Sequence, residues 1–397
     1  MAGFVAAYGW ICGRVRPIGR QHNPGSDGLD TTASDRLERF TLRPFRAAWW
    51  LPGPHAQTIF GRALRRLRPI RYVRERLDTP DGDFLDLDWA EPIPSSSRRT
   101  GSIPHASRET RPIVILLHGL EGCSESGYMI EAARLCTEAG LRAVALNFRG
   151  RSGTPNRLPR AYHAGETGDL AHVLEELRRR EPGAPLAALG FSLGGNVLLK
   201  YLGERGNPTG PALSAAAAIS VPFDLAASTS RMERGMGRLY TRFFIRSLRN
   251  GVRAKAAAMP VPYDRDAALE ARTLRAFDDA VVAPLHGFRD AADYYARSSS
   301  KAYLEAIRVP TLLLQARDDP FLPASFELQL SRRGNPWLRP GFVERGGHVG
   351  FVEGHAPWAA RFWAEAEAVR FLATHLLADR PFAATVETST GTTDIER

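Results

Sequence analysis

The sequence predicts an α/β fold, built on a mostly parallel central sheet with helices on both faces and a helical cap insertion. Three observations support this prediction: apolar strand patterns alternate with amphipathic helix patterns, glycines mark helix ends, and one long interval lacks strand patterns. Alternating strands and helices are typical of parallel sheets, whose connections pass over both faces. The length of 397 residues allows one large domain or two smaller ones.

The alternation begins at residues 112–118, a continuous apolar run typical of a strand buried on both faces. A helix pattern follows at 128–139, and Gly140 stands at the position where glycine commonly ends a helix. The later elements continue in order, with strands at 142–148, 185–191, 213–221 and 309–316 and helices at 166–180 and 193–203. These patterns together predict a series of βα units.

Upstream of this series, aromatic and proline residues at 49–55 predict turns, and short strands at 71–77 and 84–89 flank an Asp-Gly turn. Downstream, the interval between Val221 and Val309 holds helix patterns only and is too long for an ordinary connection. It predicts a helical cap at about 225–305, placed to cover the carboxyl edge of the sheet.

The remaining segments have compositions that are typical of surface or disordered chain. We expect a poorly ordered N-terminal extension at 1–40, one domain at 41–380 with an inserted loop at 95–110, and a flexible tail at 381–397.

The net charge is +10, and most of the positive excess is arginine. Such a charge suits anionic partners, but the chain has neither zinc-finger spacing nor an RNA-binding aromatic motif, so we expect no nucleic-acid partner. Three cysteines, Cys12, Cys123 and Cys136, are too few and too scattered for a disulfide framework or a metal site. With no apolar run of about 18–20 residues, these features predict a cytoplasmic protein.

Residues 190–194 read Gly-Phe-Ser-Leu-Gly and place Ser192 between a buried strand and a helix. A nucleophile requires this context, because the sharp turn exposes the serine hydroxyl at a helix N-terminus, where negative charge is favoured. Small residues at Gly190, Gly194 and Gly195 leave room for the turn. Ser192 is therefore the candidate nucleophile, and a helix-capping serine in a glycine-rich turn is the alternative.

A serine hydroxyl needs a base, and the base needs an acid; in this context they follow in the order Ser, Asp, His. Asp318 and Asp319 come directly after a predicted strand, so either carboxylate could reach an imidazole. We prefer Asp319, which lies four residues before Pro323. This spacing is common after the corresponding strand in other proteins of this fold class. Capping of a helix that begins near residue 324 is the other role open to both.

The candidate base is His348, which lies in the glycine-rich segment 346–351. Small neighbours allow its ring to lie over the serine. His355 is the alternative, but it stands at the start of a predicted helix.

The oxyanion of the reaction needs two backbone N–H groups near the serine. We expect one from Leu193, directly after the nucleophile, and the other from Leu120 in the loop that ends the first strand of the series. His118 precedes this loop, and we expect it to order the loop instead of acting as a base.

Six stretches of the sequence together resemble α/β-hydrolase family 4, the YheT-like hydrolases. They are 50–58 (WLPGPHAQT), 118–122 (HGLEG), 147–150 (NFRG), 155–163 (PNRLPRAYH), 190–196 (GFSLGGN) and 346–351 (GGHVGF). The resemblance extends from about residue 45 to 378. It implies an α/β-hydrolase fold, a charge-relay triad of Ser192, one aspartate of the 318–319 pair and His348, and carboxylesterase or lipid-esterase chemistry without metal or organic cofactor.

The chain departs from this family at Cys123 and Arg151, and the segments 95–110 and 1–40 have no counterpart in it. These differences affect substrate preference more than reaction type. We expect cleavage of carboxylic esters, of medium-chain acyl or lipid type, through an acyl-enzyme on Ser192. An acyltransferase and a non-catalytic scaffold are the alternatives.

The predicted cap contains a mostly apolar series at helical spacing, Met232, Met236, Leu239, Phe243 and Ser247. Arginines lie mostly on another side, at Arg231, Arg234, Arg238, Arg242 and Arg249. A basic amphipathic helix of this kind predicts peripheral contact with an anionic membrane surface. The alternatives are a cap helix packed on the sheet with a solvated arginine face, and a helix whose Met and Phe side chains line an acyl channel.

Overall fold

The computed structural model describes residues 37, 40–65, 70–91, 111–206, 213–323 and 334–377. The predicted inserted loop, the C-terminal tail and the helix expected near residue 324 lie outside these ranges, as does the N-terminal extension apart from Leu37 and Phe40.

The strands of the described residues are β1 (Arg71–Asp78), β2 (Phe84–Glu91), β3 (Ile113–Leu117), β4 (Arg142–Asn147), β5 (Leu186–Phe191), β6 (Ala215–Ile219), β7 (Thr311–Ala316), β8 (Leu338–Val343), β9 (Val352–Glu353) and β10 (Arg361–Phe362). The α-helices are α1 (Gly53–Arg65), α2 (Gly127–Glu138), α3 (Gly168–Arg180), α4 (Leu193–Arg205), α5 (Leu225–Met232), α6 (Gly237–Ala258), α7 (Arg265–Glu270), α8 (Leu274–Phe277), α9 (Ala283–His286), α10 (Ala291–Ser298) and α11 (Trp363–Leu376). A π-helical turn, Asp278–Val282, joins α8 to α9, and short 3-10 helices lie at Ser300–Ala302, Leu304–Ala306 and Pro357–Ala359.

Eight strands form one sheet in the order β1-β2-β4-β3-β5-β6-β7-β8. Strand β2 is antiparallel to β1 and β4, and the other neighbouring pairs are parallel. The carboxyl ends of β3, β5, β7 and β8 therefore meet at one edge of the sheet, where sites form in open α/β folds. Strands β9 and β10 form a separate antiparallel pair.

Helices cover both faces of this sheet, because successive residues of its buried strands point to opposite sides. From β3, Ile113 and Ile115 pack with α3 and α4, whereas Val114 and Leu116 pack with α2 and α11. All five residues of β3 are fully buried. The mostly parallel sheet with helices on both faces confirms the predicted α/β-hydrolase fold.

The interval between β6 and β7, which the structure describes throughout, contains helices α5–α10 and no strand. Helices α5–α8 share an apolar core that includes Ile245, Val252 and Phe277. Lys255 of α6 joins this cap to the loop between β4 and α3, since its ammonium donates to Asn156 Oδ1 over 2.5 Å and to Leu158 O over 2.6 Å. The predicted helical insertion is therefore present.

Two local predictions differ from the structure. Residues 49–51 form a turn and a bend as expected, but residues 53–55 begin helix α1, because Gly53 adopts a φ of +78° and Pro54 fits the first turn of a helix. The mostly apolar series from Met232 to Ser247 is not one helix. Helix α5 ends at Met232, Gly235 adopts a φ of +51°, and α6 starts at Gly237. Met232 is consequently buried, whereas Met236 is exposed.

None of the helices in the described part of the chain combines the length and the apolar composition that crossing a membrane requires.

Candidate active site

Ser192 stands at the turn between β5 and α4, in a strained conformation with φ +51° and ψ −118°. Glycines make this turn possible. A Cβ on Gly190 would lie 2.6 Å from Gly194 O, and a Cβ on Gly194 would lie 2.5 Å from the carbonyl oxygens of His118 and Leu117. The hydroxyl therefore projects from a tightly packed corner, at the N-terminus of a helix whose dipole favours negative charge.

The structure brings Ser192, His348 and Asp319 into one hydrogen-bonded line. His348 Nε2 lies 2.9 Å from Ser192 Oγ, and His348 Nδ1 lies 2.8 Å from Asp319 Oδ2. A carboxylate only accepts hydrogen bonds, so Nδ1 carries the proton and Nε2 is free to accept the serine proton. The Asp319 side chain is fully buried, and its other oxygen accepts the N–H of Phe321 over 2.8 Å.

The neighbouring Asp318 serves a different group. Its Oδ1 accepts the N–H groups of Gly346 and Gly347, each over 2.9 Å. Burial raises the pKa of Asp318, while these two backbone donors lower it. The adjacent carboxylates thus contact different parts of residues 346–351, which we call the histidine loop. Asp319 contacts the imidazole of His348, and Asp318 contacts the backbone of the loop. His355, the alternative base, contacts Trp49, whose indole N–H donates to its carbonyl.

The histidine loop is held from below by helix α1. Thr58 Oγ1 accepts the N–H of His348 over 2.9 Å, and its hydroxyl donates to Pro54 O over 2.7 Å. Gln57 bonds both backbone groups of Val352, at 2.7 and 3.1 Å. Gly347 has a φ of +61°, and a Cβ there would lie 2.4 Å from Pro54 O.

These α1 contacts were not foreseen from the sequence. The available signal was the motif at 50–58, which the family resemblance singled out without assigning a role to its Gln and Thr.

Leu120 and Leu193, the expected oxyanion donors, line the same cavity as Ser192 and His348. Neither backbone amide donates a hydrogen bond to any of the residues that the structure describes. The next amide along, Glu121 N–H, is already used, since it donates to Tyr162 Oη over 2.9 Å. Both amides are therefore unused donors within the described part of the chain, and both residues line the cavity beside Ser192.

His118 orders this loop through the backbone. Its Nδ1 lies 2.8 Å from Gly119 O, and its Nε2 accepts the N–H of Phe148 over 3.2 Å. Complete burial lowers the pKa of His118 to about 3, which keeps the ring neutral.

Residues 118–122, which we call the oxyanion loop, are joined to three other parts of the chain through Glu121. Its backbone has a φ of +57°, a conformation that is uncommon for a residue with a side chain. Arg151 donates to its carbonyl over 2.7 Å and to its carboxylate over 3.1 Å, and the hydroxyls of Tyr162 and Ser247 also donate to the carboxylate. Ser247 belongs to α6, so the cap contacts the oxyanion loop directly.

Ser192 opens onto a cavity of about 230 Å³ between the sheet and the cap. Most of its wall is apolar, and the cap contributes much of that wall through Leu225, Met232, Phe244, Leu248, Val252, Leu274 and Val281. The expected acyl-channel side chains are thus partly correct: Met232 lines the cavity, but Phe244 does so instead of Phe243.

Two polar groups in this wall are kept neutral by burial. Burial lowers the pKa of His163 to about 3 and that of His286 to about 4. Together with Glu166 they place three ligand atoms within 4.8 Å of one another. The arrangement suits a metal poorly, because His163 Nδ1 accepts the N–H of Gly165 over 3.1 Å and Arg160 already pairs with Glu166. A neutral imidazole that binds a metal through Nε2 must instead donate from Nδ1.

Asp278, in the π-helical turn, is a further acid of this wall and is half-buried. Burial raises its pKa to about 7, although the Tyr295 hydroxyl donates to its Oδ2 over 2.6 Å and lowers the pKa.

Comparison with known proteins agrees with this fold. A family model described as "alpha/beta hydrolase fold" matches residues 112–355. The YheT protein of Escherichia coli K12, provisionally named an esterase, is 37% identical over 327 residues, which cover 81% of this chain and 91% of YheT. Phospholipase ABHD3 of Mus musculus is 32% identical over 309 residues, covering 78% of this chain and 73% of that protein. Monoacylglycerol lipase of Saccharomyces cerevisiae is 30% identical over 354 residues, covering 80% and 78%.

Among solved structures, the esterase Pf2001 of Pyrococcus furiosus aligns with a TM-score of 0.45 and 16% identity, over 78% of this chain and 91% of that protein. The family model and the relatives that are at least 30% identical define this protein as an α/β hydrolase. The chain belongs to the α/β-hydrolase family, and its similarity to YheT confirms the relationship to the YheT-like hydrolases that the motifs predicted.

Proposed function

We propose that this protein hydrolyses carboxylic esters of lipids through an acyl-enzyme on Ser192. The observation that carries the proposal is the hydrogen-bonded line Asp319–His348–Ser192, which lies in an apolar cavity beside two unused backbone amides. This arrangement supports nucleophilic catalysis by serine, since the base lies within hydrogen-bond distance of the nucleophile on one side and of the orienting acid on the other.

In the first step, His348 Nε2 accepts the Ser192 proton while Oγ attacks the ester carbonyl. The amides of Leu120 and Leu193 donate to the oxygen that becomes negative. His348 then gives its proton to the departing alcohol, and the acyl group stays on Oγ. Asp319 keeps the imidazole in the required tautomer and stabilises its charged form.

In the second step, His348 accepts a proton from water, the resulting nucleophile attacks the acyl-enzyme, and the proton returns to Ser192 as the acid leaves. An alcohol in place of water would give acyl transfer by the same steps.

The cavity and the relatives support this class of substrate. The apolar wall provided by α5, α6 and α8 suits an acyl chain, because burial of apolar surface stabilises binding without directional contacts. Relatives named as a phospholipase and a monoacylglycerol lipase act on lipid esters by name. We therefore propose medium-chain acyl or lipid esters as substrates, with peripheral contact of the enzyme at an anionic membrane.

A fluorophosphonate probe tests the nucleophile, because it labels only an activated serine. The wild-type chain should be labelled and the folded Ser192→Ala variant should not. Absence of labelling in the folded wild-type chain would favour a scaffold on a hydrolase fold.

A series of p-nitrophenyl esters from acetyl to dodecanoyl then tests the substrate class. We expect kcat/KM to rise with chain length and to pass through a maximum, and a flat profile would contradict an acyl-binding cavity. Product analysis with glycerol present separates hydrolysis from transfer: free acid as the main product supports hydrolysis, and glycerol ester as the main product supports transfer.

A further inference from the structure

Five large apolar side chains lie exposed on helix α1, on helix α6 and at Met236, the residue that precedes α6. Each is between 50% and 55% exposed, and together they form what we call the apolar platform: Ile59, Phe60, Met236, Leu239 and Phe243. Exposed apolar side chains that cluster in this way mark interaction surfaces, whereas scattered ones do not.

Contacts between α1 and α6 make the platform continuous. His55 Nδ1 lies 3.1 Å from Tyr240 Oη, and the Arg62 guanidinium lies 5.4 Å from the centre of the Phe243 ring. His55, Ile59 and Arg62 follow one face of α1 at helical spacing. Ile59 therefore lies between two points of contact with α6.

A groove lined by five arginines adjoins the platform. Four of them come from α6 and the fifth follows α7: Arg242, Arg246, Arg249, Arg253 and Arg272. Asn250 and Ile245 complete the lining, so no acidic side chain belongs to it. Within the described ranges none of these guanidinium groups forms an ion pair with a carboxylate, and the buried Nε of Arg249 has no hydrogen-bond partner. We call this feature the arginine groove.

Helix α6 has three distinct faces, because residues three or four positions apart lie on the same side of a helix. Leu239 and Phe243, four residues apart, form an apolar stripe, and the groove arginines, spaced four, three and four, form a parallel stripe beside it. The opposite side is buried, where Thr241, Ile245 and Val252 pack inward. Phe244 and Leu248 of this side line the cavity of Ser192.

Unpaired arginines in one groove repel each other, so the groove is complementary to a partner that supplies several negative charges at once. Arginine guanidinium groups match phosphate oxygens in a bidentate geometry. An apolar stripe beside them matches the acyl region under a layer of phosphate headgroups. A lipid surface offers both features together, whereas a free anion uses only the arginines.

We propose that the apolar platform and the arginine groove form one docking surface for a bilayer that contains anionic phospholipids. In the docked state, the arginine side of helix α6 would lie in the headgroup region, while its opposite side would remain part of the wall of the Ser192 cavity. That this surface supplies the substrate rests on the proposed esterase function, but docking itself does not depend on it.

Vesicle co-sedimentation of the full chain tests the docking surface. The Ser192→Ala background separates binding from turnover, and the vesicles are pure phosphatidylcholine or contain about one-third phosphatidylglycerol. We expect binding to the anionic vesicles, weaker binding at high salt and little binding to the neutral ones.

Three variants assign the binding to its residues. The groove variant, Arg242→Ala/Arg246→Ala/Arg253→Ala, should lower vesicle affinity on the order of a hundredfold, since each arginine contributes about fivefold. The platform variant, Leu239→Ser/Phe243→Ser, should also lower it. The charge-matched control, Arg178→Ala/Arg179→Ala/Arg180→Ala in the last turn of α3, should retain most of the affinity.

The proposal is overturned if the wild-type surface binds no anionic vesicle, or if the α3 control loses as much affinity as the groove variant. It is also overturned if inorganic phosphate raises the melting temperature through the groove while vesicles do not bind, because the groove would then serve a free anion. Hydrolysis of a water-soluble acetyl ester, measured in the groove and platform variants with Ser192 intact, should stay at the wild-type rate. If the wild-type chain does not hydrolyse this ester, the proposed function is contradicted, whereas the result of the vesicle experiment still holds.

Discussion

The hydroxyl of Thr58 accepts the backbone N–H of His348 over 2.9 Å, although 290 residues separate them in the chain. Helix α1 thereby holds the backbone of His348 in the position from which its imidazole contacts Ser192. Because Thr58 contacts the histidine loop and not the serine, it is a positioning residue in the proposed mechanism.

Replacing Thr58 by valine should remove this acceptor while preserving shape. We expect kcat for a water-soluble ester to fall by up to about a hundredfold, since small displacements of a base have effects of this size. KM should change little, and the free energy of unfolding should fall by about 1–3 kcal/mol because the amide of His348 loses its partner. Thr58→Ser, which keeps the hydroxyl, should restore most of both. A valine variant with wild-type kcat would show that the contact has no role in positioning.

The two adjacent carboxylates should respond differently to the same change. Asp319→Asn removes the acceptor that holds His348 Nδ1–H, and we expect kcat to fall by about 10⁴-fold. Asp318→Asn keeps an oxygen that can accept the Gly346 and Gly347 N–H groups, so we expect less than about a tenfold loss. Steady-state kinetics and fluorophosphonate labelling of both variants measure this difference. Equal losses would contradict the assignment of Asp319 as the orienting acid.

Arg151, which departs from the family pattern, holds the oxyanion loop at two carbonyls, those of Glu121 and Gly122. Arg151→Ala should lower kcat by about tenfold to a hundredfold, because a displaced amide of Leu120 stabilises the oxyanion less well. Arg157→Ala is a suitable control, since Arg157 also bonds two carbonyls, but in the β1–β2 turn. If both variants lose activity equally, the effect belongs to general stability and not to the oxyanion loop.

Asp278 should make stability depend on pH. Burial raises its folded-state pKa to about 7, so the folded protein retains a proton that the unfolded chain loses near its ordinary value of 3.8. The stabilising effect of that proton is present at low pH and is lost as the pH rises from about 4 to about 7, by at most about 4 kcal/mol.

Asp278→Asn should therefore flatten this part of the pH profile and raise stability at pH 8, because the amide stays neutral and can still accept from Tyr295. Urea unfolding at pH 5 and pH 8 measures the difference. Asp266→Asn, on an exposed helix, removes the same charge without the burial and should leave the slope of the wild-type chain unchanged. A persistent slope in the Asp278 variant would assign it to another group.

Much of the fold could be predicted because each element leaves a local pattern. The buried strand β3 is a continuous apolar run, and Gly140 ends α2 with a φ of +79°. Ser192 and Asp319 were expected because each follows a predicted strand, whereas His348 was expected from its glycine-rich segment and from the order Ser, Asp, His.

Contacts between distant segments left no such pattern. Nothing in the composition near Thr58 and Gln57 indicates that they hold a loop 290 residues away. The helix break at Gly235 was also hidden, because the apolar spacing from Met232 to Phe243 continues across it. The choice between Asp318 and Asp319 depended on the turn that follows β7, where the Asp319 N–H donates to Ala316 O over 3.2 Å and the two side chains diverge.

The cap leaves the sheet after Ile219 and returns at Thr311, and these ends belong to adjacent parallel strands. Ser192 precedes this interval and His348 follows it, so the proposed reacting groups and much of the apolar wall of the cavity are encoded in separate stretches of sequence. The cap between β6 and β7 can therefore be replaced as one continuous segment. Such a replacement would change which esters fit the cavity and would leave the proposed reaction unchanged. Only the few side chains that cross the boundary, such as Ser247 on Glu121, must be matched again.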